Sequence, residues 1–213
     1  MTEQRPFGYP VLMASLPGLA AEAANCTWCD LYRRASRTVF GEGPPEAKLM
    51  LVGETPGDAE DKQGKPFVGP AGRLLDRALH DSGISRERVY LTNAVKHFKF
   101  EQSGKRRLHK PPNRTEIVAC RPWLEAEFAV VNPALVVSLG ATAGSALLGP
   151  GFRVRDHRGK LEQADVGRWH GAMVSTIHPS AVLRARDSQA RDQAYGGLVE
   201  DLATAVSTLA SMG

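Results

Sequence analysis

The sequence predicts an α/β protein, a three-layer α/β/α sandwich around a central, mostly parallel four-stranded sheet. Short apolar runs typical of strands buried on both faces recur at 48–53, 89–95, 134–140 and 174–177. Helical patterns lie between these runs, and strands that alternate with helices pair in parallel with helices on both faces. The chemistry of such sheets collects at the carboxyl ends of the strands.

The first strand candidate, KLMLVG at 48–53, ends in a glycine and precedes a loop rich in Gly, Pro and Asp over 54–69. Helical spacing of apolar residues then predicts a helix that Gly83 should end. The apolar residues of this helix are Leu74, Leu75, Ala78 and Leu79.

The second strand candidate, VYLTNAV at 89–95, precedes a polar loop over 96–114. A helix is predicted over 115–131, and Pro122 within it should kink the helix or delay its start. The remaining elements are a strand at 134–140, a short helix at 141–148, a strand at 174–177 that ends at His178-Pro179-Ser180, and a closing helix at 188–211.

The 213 residues fit one domain over 1–213, with 1–25 as an N-terminal arm that holds a short helix around 18–24. With 42% hydrophobic and 23% charged residues, the composition excludes a disordered chain. No run is long and apolar enough to span a bilayer, and no secretory signal is recognisable. Three cysteines argue against a disulfide-stapled secreted domain, so we expect a cytoplasmic protein. We also expect it to be a monomer.

The loop after the first strand carries Glu54 and Asp58 but lacks both GxxxxGK[ST] and GxGxxG. A carboxylate directly at a strand end suits a catalytic base or an electrostatic stabiliser. The alternative is a solvated acidic loop.

The 96–114 loop is strongly basic. It holds seven Lys or Arg residues against one acid, a local charge of +6 in a chain of net charge +4. Such charge at the mouth of a site suits a phosphate backbone, although a solvated charged loop has the same composition. Its cations should keep His109 neutral and therefore nucleophilic.

The three cysteines are candidate metal ligands. Cys26 and Cys29 form a CxxC pair, Cys120 follows far downstream, and a four-ligand site needs one more donor. His97 directly follows the second strand and is a candidate for that donor. Spacing alone leaves zinc, an iron–sulfur cluster and a redox CxxC open.

The last strand ends at His178, where an imidazole can donate a hydrogen bond to an anionic leaving group. The apolar pair Val182–Leu183 and the arginines that follow could wedge into a base stack. An ordinary strand-ending turn is the alternative.

Taken in order, these motifs resemble the uracil-DNA glycosylase superfamily, and within it the iron–sulfur family 4 branch. The resemblance covers nearly the whole chain from Cys26 onward. It is carried by GETPGDAED (53–61), GKPFVGPAG (64–72), LTNAVK (91–96), the CxxC with Cys120, and HPSAVLR (178–184). The sequence is most similar to UdgX-type uracil-DNA-binding proteins, because His97 replaces a cysteine ligand and a basic insert KRRLHK (105–110) carries a histidine. Thr55 stands where that pattern has Gln.

The resemblance implies that uracil leaves the base stack and enters a pocket, or is taken from a single strand. Phe67 would stack on it, Asn93 would pair with its amide edge, and Gly53 and Thr55 would complete the uracil-binding set. His178 would hydrogen-bond O2 and stabilise the departing anion. Glu54, with Asp58 as a weaker candidate, would stabilise the oxocarbenium-like sugar.

In UdgX-type proteins the loop histidine, here His109, attacks C1′ and forms a covalent adduct with DNA, so the protein acts once. The same resemblance implies contacts to the DNA backbone and loop from Lys105, Arg106, Arg107, Lys110, Ser180 and Arg184. It further implies a [4Fe-4S] cluster held by Cys26, Cys29, His97 and Cys120, which would tie down the N-terminal arm.

Two other functions remain open at this point. One is a conventional multiple-turnover glycosylase in which His109 only contacts phosphate. The other is a noncatalytic DNA-binding module with a structural metal.

Overall fold

The computed structural model describes residues 15–212, so the first fourteen residues of the predicted arm lie outside the described part. The helices run through the chain in the following order: α1 Leu16–Ala23, α2 Asp58–Gln63, α3 Pro70–Asp81, α4 Arg114–Val131, α5 Ala141–Leu148, α6 Val154–His157, α7 Pro179–Leu183 and α8 Ser188–Met212. None of the described helices is long and apolar enough to cross a membrane.

The central sheet has five strands rather than the four predicted. The strands are β1 Leu49–Gly53, β2 Val89–Asn93, β5 Leu135–Leu139, β6 Leu161–Val166 and β7 Trp169–Thr176, in the order β2-β1-β5-β7-β6. Four of them are parallel, and β6 adds an antiparallel edge to β7. The prediction missed β6 because only its buried residues Ala164 and Val166 alternate with polar ones, so its apolar signal is short.

The parallel strands are buried on both faces, which explains their unbroken apolar runs. Alternation sends Leu49 and Leu51 into a core with α3 and α8, whereas Met50 and Val52 enter a second core with α4 and α5. The three-layer α/β/α architecture and its mostly parallel sheet are therefore confirmed.

The 96–114 segment is not a plain loop. It contains a β-hairpin, separate from the main sheet, whose strands are β3 Phe100–Ser103 and β4 Arg106–His109. Gly104 makes the turn with φ +57°, a conformation that glycine adopts without strain. The sequence does not predict this hairpin, because the hairpin's strands carry almost no pattern of apolar residues.

Helix α4 begins at Arg114, so Pro122 does not delay the start of the helix. Pro122 lies inside the continuous helix. The Asn113 side chain caps the helix by accepting a bond from the Glu116 amide at 2.9 Å. Helix α1, close to the predicted 18–24, packs on α4 through an apolar cluster that includes Leu19, Phe40 and Trp123.

Candidate active site

The carboxyl ends of β1 and β2 place a glycine opposite the proposed base-reading residue. Gly53 and Asn93 are direct partners in the parallel register. A Cβ at Gly53 would come within 2.3 Å of Asn93 Oδ1 and 2.5 Å of Phe67 Cζ. The missing side chain is therefore what lets Asn93 and Phe67 converge.

Phe67 is held in a left-handed conformation, with φ +55°, that phenylalanine rarely adopts. Gly72 packs against its backbone so closely that a Cβ there would lie 1.8 Å from the Phe67 carbonyl oxygen. The buried Glu60 accepts the amides of Gly57 and Gly69, which pins both ends of the surrounding loop. The Phe67 ring consequently faces His178, with ring centroids 6.2 Å apart.

Glu54 divides its two carboxylate oxygens between two partners. Oε2 accepts a short hydrogen bond from the hydroxyl of Thr142, at the start of α5. Oε1 faces His109 Nε2 at 3.6 Å, beyond hydrogen-bond length. Sequence reasoning missed Thr142, although its place just after a predicted strand was an available signal.

The hairpin alternates its side chains between two sides. Arg107 and His109 share the side that faces the protein, whereas Arg106 and Leu108 face outward. Arg107 bonds the carboxylates of Asp58 at 2.5 Å and of the fully buried Asp61 at 2.6 Å. Arg107 and Asp58, predicted to contact DNA and assist catalysis, are here engaged with each other in holding the hairpin.

The surroundings of His109 favour the neutral form of its imidazole. Burial lowers the pKa of its imidazole, Glu54 opposes that shift and Arg184 adds to it. A neutral ring is the form able to act as a nucleophile at physiological pH. The hairpin's neighbouring lysines and arginines, from which the sequence predicted this effect, are not its main cause.

The His178 ring has its tautomer fixed. Its Nδ1 accepts a bond from the Ser180 amide at 3.1 Å and lies 2.8 Å from the Ser180 hydroxyl, which in turn accepts from Arg184 at 2.9 Å. Nδ1 is therefore the acceptor, and the proton sits on Nε2. Burial, with His109 and Arg184 adding to it, lowers the pKa of His178 to about 4. Ser180, predicted as a DNA contact, bonds His178, and Arg184, predicted as another, bonds Ser180.

Four of the seven Lys and Arg residues of the basic 96–114 segment are paired with carboxylates. Among the described residues, Lys96 pairs with Glu127, Lys99 with Glu116, and Lys110 with Glu101. The local excess of charge counted from sequence is therefore largely balanced in space. Lys105 and Arg106 lie exposed at the hairpin tip, where a DNA backbone could reach them.

Of the two apolar residues predicted to wedge into a base stack, only Leu183 is exposed. Val182 is fully buried in the core beside β7, whereas Leu183 is 43% exposed. The interpretation of Val182 as a wedge residue is wrong, because the short helix α7 turns it inward.

Thr55, predicted to bind uracil, lies beside the predicted metal ligand His97. It is buried, and its hydroxyl donates to the His97 carbonyl at 2.7 Å. Two backbone bonds run parallel to this one, from Ala94 to Gly53 and from Val95 to Glu54. The loop after β1 is thereby fastened to the loop after β2.

Two of the predicted metal ligands, Cys26 and Cys120, lie in or against the apolar cluster that contains Trp123. Cys26 Sγ accepts from Trp123 Nε1 at 3.2 Å, and Cys120 Sγ accepts from the Lys96 amide at 3.2 Å. Burial raises the pKa of Cys29 and, despite the opposing charge of Lys96, raises that of Cys120 to about 12. Within residues 15–212 no three His, Cys, Asp or Glu side chains are grouped closely enough to hold a single metal ion.

Comparisons with known proteins show which family the chain resembles. Residues 40–203 match the family model of the Uracil DNA glycosylase superfamily. The chain is 39% identical over 173 residues to the type-4 uracil-DNA glycosylase of Thermotoga maritima, covering 78% of this chain and 82% of that protein. It is 35% identical over 164 residues to the type-4 uracil-DNA glycosylase of Pyrobaculum aerophilum, covering 75% and 80%.

A more distant relative is the type-5 uracil-DNA glycosylase of Thermus thermophilus, 34% identical over 131 residues that cover 53% of this chain and 55% of that protein. The family model spans most of the chain, and its matched range contains Glu54, Phe67, Asn93, His109 and His178. The chain therefore belongs to the uracil DNA glycosylase superfamily.

Proposed function

We propose that this protein excises uracil from DNA and then becomes covalently attached to the abasic sugar through His109. Membership of the superfamily and relatives named uracil-DNA glycosylases support the excision activity. The 3.6 Å approach of His109 Nε2 to Glu54 Oε1 carries the second step, because it sets an imidazole beside the carboxylate proposed to face C1′.

Uracil recognition uses three groups at the strand ends. Phe67 stacks on the flipped base, and the Asn93 amide accepts from N3–H and donates to O4. Cytosine offers the opposite donor and acceptor pattern at these positions, so an oriented Asn93 rejects it.

The N-glycosidic bond breaks with its electron pair moving onto uracil. His178 donates Nε2–H to O2 of the leaving anion, which is the tautomer favoured by its bonds to Ser180. Glu54 stabilises the positive charge that develops at C1′.

His109 then supplies the electron pair for a new N–C1′ bond. Neutral imidazole and neutral deoxyuridine become an imidazolium adduct and a uracil anion, so charge is conserved. Water does not readily hydrolyse the N–C1′ bond of the adduct, so each protein molecule reacts only once. The Arg107 bonds to Asp58 and Asp61 support this step by holding the hairpin against the pocket.

A [4Fe-4S] cluster held by Cys26, Cys29, His97 and Cys120 belongs to the same proposal. Ligands of a multi-iron cluster bind different irons, so they need not converge as the ligands of one ion do. The donor chemistry fits, since two of the sulfurs accept N–H bonds, as cluster sulfurs do. The Thr38 hydroxyl donates its proton to the Ala23 carbonyl, so it accepts a bond from His97 Nε2–H, 2.9 Å away. Because the proton is then on Nε2, the lone pair of His97 Nδ1 can bind metal. Such a cluster would join the 26–29 segment to α4.

A conventional multiple-turnover glycosylase is the second candidate, and the type-4 names of the relatives favour it. One denaturing gel separates the two. Incubated with a uracil-containing oligonucleotide, the protein should give a heat-stable shifted band in at most one-to-one yield, and His109→Ser should lose that band but release uracil. Abasic DNA in large molar excess over protein, without a shifted band, would establish turnover instead.

A further inference from the structure

The ion pair Lys96–Glu127 is buried beside the site but has no part in the reaction proposed above. The Lys96 side chain is 1% exposed and that of Glu127 is 0% exposed, with Nζ and Oε2 2.5 Å apart. Burying two charges is costly, and a well-packed apolar pair often gives equal or greater stability. Stability alone therefore gives little reason for an ion pair here.

The ammonium of Lys96 uses all three of its protons. They go to Glu127 Oε2, to the Thr92 hydroxyl at 2.6 Å and to the backbone carbonyl of Asn93 at 2.8 Å. Lys96 thus binds the backbone of the residue proposed to read uracil. Because every proton is used inside the protein, Lys96 is not available to DNA.

Glu127 fixes the other end of the pair on α4. Its Oε1 accepts from the Gly41 amide at 3.0 Å and from the Tyr90 hydroxyl at 3.0 Å, and Thr92 donates to the same carboxylate. These partners come from two separate segments, the chain at Gly41 and strand β2, so the carboxylate has little freedom to move. The Lys96 ammonium is consequently held at a fixed point relative to α4 and β2.

Asn93 is the last residue of β2, where the regular ladder of the sheet ends. Beyond it, the Ala94 and Val95 amides bond Gly53 and Glu54, and the Lys96 ammonium bonds the Asn93 carbonyl. The peptide group between Asn93 and Ala94 is thereby held at its carbonyl oxygen and at its amide. This restraint sets the direction of the Cα–Cβ bond of Asn93.

We propose that Lys96 and Glu127 are positioning residues for base recognition: the buried pair holds the Asn93 backbone so that its amide meets the uracil edge. This inference rests on the proposed function for its consequence in DNA binding. The position of Asn93 itself is measurable without DNA.

The test uses the double variant Lys96→Met, Glu127→Gln. Met keeps the length of the side chain, and Gln keeps an acceptor for Gly41 and Tyr90, so chiefly the ammonium contacts are lost. The preference for uracil-containing over cytosine-containing oligonucleotide should fall roughly tenfold, the scale of one hydrogen bond to a charged group. Binding to DNA without uracil should stay at the wild-type level.

Trp169→Phe is the matched control, because it removes a buried 2.9 Å bond to the Pro133 carbonyl at the far end of the sheet. It should lower stability without changing the uracil preference. If the double variant is folded and keeps the wild-type preference, the inference is wrong. Should that variant not fold, Thr92→Val, which keeps both charges, should lower the preference, and an unchanged preference would equally overturn the inference.

The side-chain amide resonance of Asn93, recorded by ¹⁵N NMR without DNA, separates this inference from the proposed function. It should shift or broaden in the double variant and stay unchanged in Trp169→Phe. An unchanged Asn93 resonance in the double variant refutes the positioning role. Failure of the wild-type protein to distinguish uracil from cytosine refutes only the proposed function.

Discussion

The Nε2 atom of His109 lies 3.6 Å from Oε1 of Glu54, although one residue ends a hairpin strand and the other follows a strand of the central sheet. Each side is separately restrained. The hydroxyl of Thr142 holds the second oxygen of Glu54, and Arg107 fastens the hairpin to Asp58 and Asp61. The proposed nucleophile and the proposed stabilising carboxylate therefore meet because two structural supports aim them at one point.

Thr142→Val should slow uracil excision by about tenfold, the equivalent of one charge-assisted hydrogen bond of about 1.5 kcal/mol. Without the hydroxyl, Glu54 is free to turn away from the sugar. Single-turnover rates at saturating DNA measure this effect. Thr204→Val is the control, since among residues 15–212 its hydroxyl bonds only the Glu200 carbonyl within α8. Equal rates for both variants would remove Thr142 from the site.

Arg107→Lys should reduce adduct formation about tenfold at saturating DNA, because an ammonium cannot reproduce the fork that joins Asp58 and Asp61. Arg106→Gln, on the outward side of the same strand, should instead lower the affinity for DNA and make that affinity depend less steeply on salt concentration. Rates and affinities measured for both variants distinguish these effects. If Arg107→Lys changed only DNA affinity, Arg107 would be a DNA contact after all.

Arg184→Gln should move the acid limb of adduct formation to higher pH. The neutral imidazole of His109 is the reactive form, so the rate falls as pH falls through its pKa. Arg184 helps burial to lower the pKa of both His109 and His178, and its loss raises both. Rates from about pH 5 to about pH 8 span the ordinary histidine range. The exposed Arg186→Gln is the control, and the prediction fails if the two profiles coincide.

Gly53→Ala should lower uracil excision by about a hundredfold, the scale of a 1 Å misplacement in an active site. The new Cβ would lie 2.3 Å from Asn93 Oδ1, so it must displace the amide or the Phe67 ring. Gly151→Ala serves as the control, because apart from its chain neighbours no described residue has a heavy atom within 4 Å of the new Cβ. Normal excision by a folded Gly53→Ala protein would show that uracil does not occupy this space.

Protein purified without oxygen should contain iron and absorb visible light as iron–sulfur clusters do. His97→Ala should lose iron, whereas His97→Cys, which restores a thiolate ligand, should retain it. The control is His170→Ala, whose exposed ring pairs only with Asp165 among the described residues. Iron content is measured alongside the spectrum. A wild-type protein free of iron would exclude the cluster, and full iron content in His97→Ala would exclude that ligand.

The sequence predicted the sheet well because strands buried on both faces leave unbroken apolar runs. It predicted less well where that signal was short. The edge strand Leu161–Val166 and the hairpin at 100–109 were both missed, because each keeps its polar residues in water. The hairpin matters most, since it converts His109 from a residue in a basic loop into one aimed at Glu54.

The sequence by itself determined the α/β architecture, the superfamily and the residues proposed for uracil, because these depend on local patterns and motifs at strand ends. Only the tertiary structure decided which charges are available. Glu127, Asp61 and Glu116 lie far along the chain from the Lys96, Arg107 and Lys99 that they neutralise. Electrostatic pairing depends on distance in space rather than in sequence, so a count of charges along 96–114 could not reveal that four of that segment's seven cations are paired with carboxylates inside the protein.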